Sequence, residues 1–269
     1  MCESNRVFFD AYWRRRALIS RLSFASRMHT ATIRHLLAQQ RRAWEGRHIL
    51  EIGAGVTTLL FTFPRAHLAL VDVAESARAY AGAMASRRRV ASFQAAASLG
   101  EVRRPQGRFD LIIMAHVLEH LDDAAGMISQ LCGWLAPAGL LVVQVPTNEA
   151  RHPYCRERRI GFFNPLHVHK FTWESLTQTL AQAGLEVVAA CANNRFLTLL
   201  ELPARYWLYR ALAFGSNALS FLPFGTWRAF DALAARRLPP RQLTLLAQRR
   251  GSHAPVSHPE SSDAGPAAA

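Results

Sequence analysis

Lysine is nearly absent from this sequence: Lys170 stands alone among 32 lysine and arginine residues. The formal charge of +13 therefore rests on arginine. An excess of that size ordinarily points to nucleic acid or an anionic membrane. An all-arginine excess alongside abundant alanine also follows from coding composition, so the partner argument loses weight. The clusters at Arg14 to Arg16, Arg41-Arg42, Arg87 to Arg89, Arg156 to Arg159 and Arg236-Arg237 read first as solvated faces. Cysteine is sparse as well. Cys2, Cys132, Cys155 and Cys191 lack the short paired spacing of a zinc site or a redox dithiol, and fit ordinary thiols in a reducing, cytoplasmic compartment. The opening residues MCESNRVFFDAYWRRR carry charge where a secretion signal needs a continuous apolar core, so export is not expected.

What is present is enough apolar material for a full domain. At 269 residues and 50% hydrophobic, the chain suits one α/β domain plus an elaboration. Residues 1–46 alternate basic and apolar positions at helical spacing, as at Ile33, Leu36 and Leu37, which predicts two leading helices with Thr30 as a cap. From His48 the pattern becomes short apolar runs: HILEIG, HLALVDV, FDLIIMAH, GLLVVQVP, LEVVAA and QLTLLAQR. Runs apolar on both faces, alternating with helices, predict a doubly wound, mostly parallel sheet covered on both sides. Intervening helices are expected at Thr57 to Phe63, Ala74 to Ser86, Asp122 to Leu135 and Thr172 to Ala183. Pro146 to Lys170 reads as a long functional loop, Cys191 to Pro240 as an aromatic-rich helical insertion, and 251–269 as a disordered tail. The main α/β domain thus spans 47–250, interrupted by 191–240, and follows an N-terminal helical segment.

The chemistry starts at the first strand. HILEIGAGVTT places Gly53-Ala54-Gly55 at the turn leaving it, where a doubly wound sheet has its ligand crevice and where glycine lets the backbone approach a nucleotide. A nicotinamide enzyme uses a similar turn. Glu51, at the mouth, would repel a pyrophosphate and favour a ligand with an ammonium and a sulfonium. Asp72 ends the next strand and suits two ribose hydroxyls of either ligand.

HILEIGAGVTT, LVDVAES, FDLIIMAHVLEHLDD and LAPAGLLVVQVP, in this order and spacing, resemble the successive motifs of class I S-adenosylmethionine-dependent methyltransferases, from about His48 to Val188. The resemblance implies a seven-stranded Rossmann-like sheet in the order 3-2-1-4-5-7-6 with the last strand antiparallel, N-terminal helices and a helical insertion before that strand. It implies S-adenosyl-L-methionine as cofactor, with Glu51, Gly53, Ala54 and Gly55 near its methionine part, Asp72 and Val73 at the ribose, and Ala115 and His116 beside them. The acid that usually faces the adenine is replaced by alanines in FQAAASLGE, so Gln94 or a backbone carbonyl is expected to substitute. Thr57 replaces the third glycine, and Pro137-Ala138-Gly139 stands for the usual Pro-Gly-Gly.

A hydroxyl acceptor would need a base near the carboxyl ends of the strands. His116, His120, His167 and His169 are the candidates, the last two directed to one face if HVHKF is extended. No carboxylate or third histidine follows at regular spacing, so no metal site is expected. The insertion interrupts the connection at the ligand-bearing edge and should cap the site, giving a small-molecule or lipid-linked acceptor methylated at oxygen or carbon. Ala211 to Trp227 is uncharged but is broken by Gly215, Ser216, Asn217, Pro223 and Gly225, too short for a crossing; residues 196–230 suit peripheral membrane contact or a packed cap. An RNA methyltransferase using the arginine surface ranks below this, since no RNA-binding module or Asn-Pro-Pro-aromatic motif is present. A non-catalytic nucleotide-binding or scaffold protein needs only the cap and the charge. The oligomeric state is not legible.

Overall fold

Side chains along the central strands alternate between two faces, and each face has its own layer. The computed structural model describes residues 7–14, 23–103, 108–162, 164–201, 205–219 and 221–251. Its strands are β1 (His48–Ile52), β2 (His67–Val71), β3 (Ser92–Ala96), β4 (Phe109–Ala115), β5 (Leu135–Pro146), β6 (Leu185–Asn193) and β7 (Gln242–Arg249). They form one sheet in the order β3-β2-β1-β4-β5-β7-β6. The strands from β3 to β5 pair in parallel, and β7 pairs antiparallel with both β5 and β6. The strand order expected from the sequence is the one observed.

Leu50, Ile52, Ile112, Met114, Leu141 and Val143 point to one side, onto Ile128 and Leu131 of α4 (Ala124–Trp134) and Leu176 and Leu180 of α6 (Trp173–Gln182). Ile49, Leu68, Leu70, Leu111, Ile113, Leu140 and Val142 point to the other, onto Ile33 and Leu37 of α2 (Phe24–Gln39) and Ala81 of α3 (Glu75–Ala85). Each of these large side chains contributes about 1.5–3 kcal/mol by leaving water. Local signals set the helix ends. Asp123 accepts from Gly126 N at the start of α4, and Thr172 and Ser175 form a reciprocal capping box on α6.

Three expectations are corrected. Two leading helices are present, α1 at residues 7–14 and α2, but Ser23 caps α2 while Thr30 lies inside it, its hydroxyl bonded back to the carbonyls of Ser26 and Arg27. The helix expected over Thr57 to Phe63 is only a short 3-10 turn, Leu60–Thr62. The Thr57 and Thr62 hydroxyls bond local carbonyls, and Pro64 follows immediately, so a longer helix is not supported. The loop from Pro146 to Lys170 contains a 3-10 turn at Glu149–Arg151 and a short helix α5 (Pro153–Arg158), whose Tyr154 amide donates to the His152 side chain.

The insertion between β6 and β7 is helical: α7 (Arg195–Leu200), α8 (Tyr206–Leu219) and α9 (Phe224–Ala234). It leaves the sheet at the carboxyl end of β6, the same edge as the carboxyl ends of β1 and β4. Asp231 of α9 accepts from the amides of Asn194 and Arg195 and so caps α7. Phe24, Phe196 and Trp227 pack ring against ring, with Trp227 4.7 Å from Phe24 and 5.0 Å from Phe196. Gln144 bridges Thr244 and the carbonyl of His29, and Asn193 donates to Thr32, so α2 is tied to β5, β6 and β7 by buried polar contacts as well. Among the described residues no helix is long and apolar enough to cross a membrane. The expected disordered tail beyond Gly251, like Cys2, lies outside the described residues.

Trp227 is 8% exposed at the joint between insertion and domain, whereas Trp207 is 68% exposed on α8. Trp227→Ala should therefore cost about 3 kcal/mol in urea denaturation of the whole chain, and Trp207→Ala less than about 0.5 kcal/mol. Equal losses would contradict the packed joint.

Candidate active site

The turn after β1 is bent by two glycines and packed from both sides. Gly53 (φ +67°) and Gly55 (φ +55°) occupy the left-handed region. A β-carbon on Gly53 would lie 2.3 Å from Cγ2 of Val117, and one on Gly55 2.3 Å from the indole of Trp13. Gly53 N also donates to the Val71 carbonyl at 2.7 Å, joining the turn to the end of β2. Trp13 belongs to α1, and Asp10 of the same helix accepts from Ser76 N at the start of α3. The N-terminal helix thus lies across the glycine turn. An open cavity of about 220 Å³ borders the segment after the turn, between Thr30 of α2, Thr57, Thr58 and Tyr80 of α3.

Two buried carboxylates brace this turn. Glu51, 3% exposed, accepts from the Thr58 hydroxyl and from the amides of Leu59 and Leu60. Burial pushes its pKa up to about 7 against those hydrogen bonds, with the charge of Asp72 adding to the rise. Asp72 accepts from Gly55 N at 2.8 Å and Ala74 N at 2.9 Å, and burial raises its pKa from the usual value despite both bonds. Arg78 reaches the carbonyls of Asp72 and Val73. Glu51 was expected to aim its charge at the ligand; its oxygens instead turn into the chain's own turn. Ala54 is buried beneath it and Val73 is half-buried beyond Asp72.

At the end of β4, next to Ala115, His116 takes a left-handed backbone (φ +56°) while its amide donates to the Gln144 carbonyl. A non-glycine residue held there is strained, as residues at functional sites often are. His116 Nδ1 lies 3.2 Å from Oε1 of Glu119, whose side chain is 1% exposed. Burial opposes ionisation of Glu119, but the bond from His116 and the charges of His116 and His120 outweigh it and hold its pKa below the usual range. His167 Nε2 approaches the same oxygen at 4.0 Å, and its Nδ1 lies 2.8 Å from Glu149. His120 and His167 meet edge to face at 4.6 Å, and His29 stacks on His116 at 4.3 Å. Burial depresses the pKa of His120.

Two nominated residues fall elsewhere. Gln94 sits in the middle of β3, and its amide is occupied by the backbone of Arg103. It borders a cavity near His48 and His67, at the opposite edge of the sheet from the glycine turn. The His167 amide closes a turn on the Asn164 carbonyl, and the Val168 amide donates across to the Glu119 carbonyl. His169 lies outside the cluster and meets the Asp122 carbonyl instead.

The methyltransferase-domain family matches residues 12–190. The chain belongs to the class I S-adenosylmethionine-dependent methyltransferases. S-adenosyl-L-methionine is accordingly its cofactor. A probable S-adenosylmethionine-dependent methyltransferase of Mycobacterium tuberculosis is 30% identical over 178 residues, 64% of this chain and 62% of the relative. The match thus spans less than two thirds of that relative's length. Two solved structures share the fold. A magnesium protoporphyrin IX methyltransferase from Synechocystis aligns over 82% of this chain and 84% of its own at 15% identity, with a TM-score of 0.53. An S-adenosylmethionine-dependent methyltransferase from Mesorhizobium loti aligns over 80% and 96% at 18% identity, with a TM-score of 0.50.

In this methyltransferase the residues that sequence reasoning passed over are Trp13, Val117, Glu119 and Glu149. Glu119 stands between His116 and His120 in HVLEH, so its spacing was available; Glu149 and Trp13 reach the site only through long-range packing. Glu119 also supplies the carboxylate whose absence from regular spacing argued against a metal.

Because the folded chain binds the Glu51 proton more tightly than the unfolded chain (about 7 against 4.5), its stability should fall as pH rises through that window and level off above it. The expected loss is on the order of 2–3 kcal/mol. Urea denaturation from pH 4.5 to 8 should show a smaller decline for Glu51→Gln. An identical decline would place the titrating group elsewhere.

Proposed function

We propose that this chain moves a methyl group from S-adenosylmethionine to an oxygen or carbon of a small-molecule or lipid-linked acceptor lying beneath α7 to α9. The observation that carries the reading is the glycine turn pressed against two buried carboxylates at the carboxyl edge of a parallel sheet, where open α/β sheets bind ligands. The residues present fit the cofactor. A β-carbon would collide with Val117 at Gly53 and with Trp13 at Gly55, so only glycine is accommodated at these two positions of the turn. A carboxylate has about four acceptor positions. Asp72 uses two on Gly55 and Ala74, which leaves capacity for ribose hydroxyls. Gly53, Ala54 and Gly55 would hold the methionine part with Glu51 fixing the turn from behind, while Val73, Ala115 and His116 border the nucleoside. When bound, the cofactor supplies an electrophilic methyl group on a sulfonium.

The chain's own part is alignment, exclusion of water and removal of a proton. Trp13 and Val117 close the turn against water. His116, His120 and His167 are the bases in reach of an acceptor hydroxyl, and His169 is outside their cluster. A lipid-linked acceptor is favoured by the outer surface of the cap, where Trp207, Phe214, Phe221 and Leu233 are between 68% and 84% exposed with Arg205, Arg210 and Arg236 nearby in sequence.

Isothermal titration should give S-adenosylmethionine a Kd in the micromolar range, with binding lost in Asp72→Ala and Gly53→Val. Unchanged binding by both variants would remove the turn from the cofactor site. Vesicles containing anionic lipid should sediment with the protein, and the triple change Trp207→Ser, Phe214→Ser and Phe221→Ser should abolish this without altering cofactor affinity. Co-sedimentation that survives the triple change would contradict membrane contact through the cap.

A further inference from the structure

We propose that Glu119, His120 and His167 form a binding site for one divalent first-row transition ion of the zinc kind. One donor atom from each residue lies within 4.8 Å of the other two. Ligands about 2.0–2.2 Å from a tetrahedral zinc ion are roughly 3.3 Å apart, so a closure of about 1.5 Å or less completes the site.

The imidazoles are already oriented as ligands. His120 Nδ1 lies 3.1 Å from the Leu166 carbonyl, and His167 Nδ1 lies 2.8 Å from both oxygens of Glu149. A carbonyl and an ionised carboxylate only accept, so each Nδ1 carries the hydrogen and each Nε2 can present a lone pair. A histidine whose far nitrogen donates to a carbonyl or carboxylate is the usual second layer of a metal centre.

An independent observation points to a cation. Oε2 of Glu119 is buried and has no hydrogen-bond partner among the described residues, while Oε1 is bonded by His116. A buried carboxylate oxygen left without a donor is costly. A His167 imidazolium bridging Glu149 and Glu119 would serve the other oxygen and leave Oε2 unchanged. Two imidazole nitrogens and one carboxylate match zinc and its neighbours better than magnesium or calcium, which favour all-oxygen sets.

Three protein donors leave at least one coordination position open. Val117, two residues before Glu119, packs on Gly53, so the cluster adjoins the cofactor turn. An oxygen donor of the acceptor, a hydroxyl or a phenol, is the ligand this position would take, and the ion would lower that group's pKa. This last clause rests on the proposed methyl transfer; the ion site does not.

The test is spectroscopic. The full chain, stripped with chelator and dialysed, is titrated with Co²⁺ and then with Zn²⁺. One Co²⁺ per chain is expected, with visible d–d bands that Zn²⁺ abolishes. His120→Ala and His167→Ala should each weaken binding at least about 100-fold, and Glu149→Gln about 10- to 100-fold, as loss of a second-layer partner does. Thermal melting and S-adenosylmethionine affinity, measured on the same metal-free proteins, verify that the variants are folded. Absence of stoichiometric Co²⁺ binding, or binding untouched by both histidine changes, overturns the site. Failure of cofactor binding with Co²⁺ binding intact overturns the methyltransferase reading and supports the ion site.

Discussion

Two carboxylates, buried at the carboxyl ends of neighbouring parallel strands and satisfied by backbone amides of the segments that follow those strands, hold the centre of this molecule. Glu51 gathers the amides of Leu59 and Leu60, and Asp72 gathers those of Gly55 and Ala74. An unpaired carboxylate in such surroundings would be costly, so the turn and the acids fix one another. The glycines have to stay bare because Val117 and Trp13 occupy the space a side chain would need. From this one arrangement follow the position of α1 and the conformation of the residues after β4, at the crevice proposed for the nucleoside.

The cap is joined to this centre through α2. That helix buries Ile33 and Leu37 on the sheet, bonds Asn193 through Thr32, and offers Phe24 to Trp227 of α9. The outward face of α8 and α9 is different in kind, with large apolar side chains exposed.

The sheet was legible because its strands are short apolar runs buried on both faces, a pattern that polar loops interrupt cleanly. The order of the strands came with the motifs around Gly53, Asp72 and His116. Local chemistry read from composition did less well. Thr57 to Phe63 looked helical by its apolar spacing, yet threonine hydroxyls and Glu51 took the groups a helix would have used. Gln94 was nominated by elimination and proved to serve Arg103. The histidine cluster was half visible: His116 and His120 are one helical turn apart, but the pairing of His167 with Glu149 and Glu119 depends on a loop folding back across nearly fifty residues. No periodicity in the sequence carries that contact.

Hydrogen exchange of the full chain, with and without saturating S-adenosylmethionine, tests the central claim most directly, because local opening of a turn is slowed when a ligand is bound to it. Protection should concentrate in residues 53–60 and 72–74. Protection confined to the cap or to the edge of the sheet near His48 and His67, or none at all, would contradict the assignment of the glycine turn as the cofactor site.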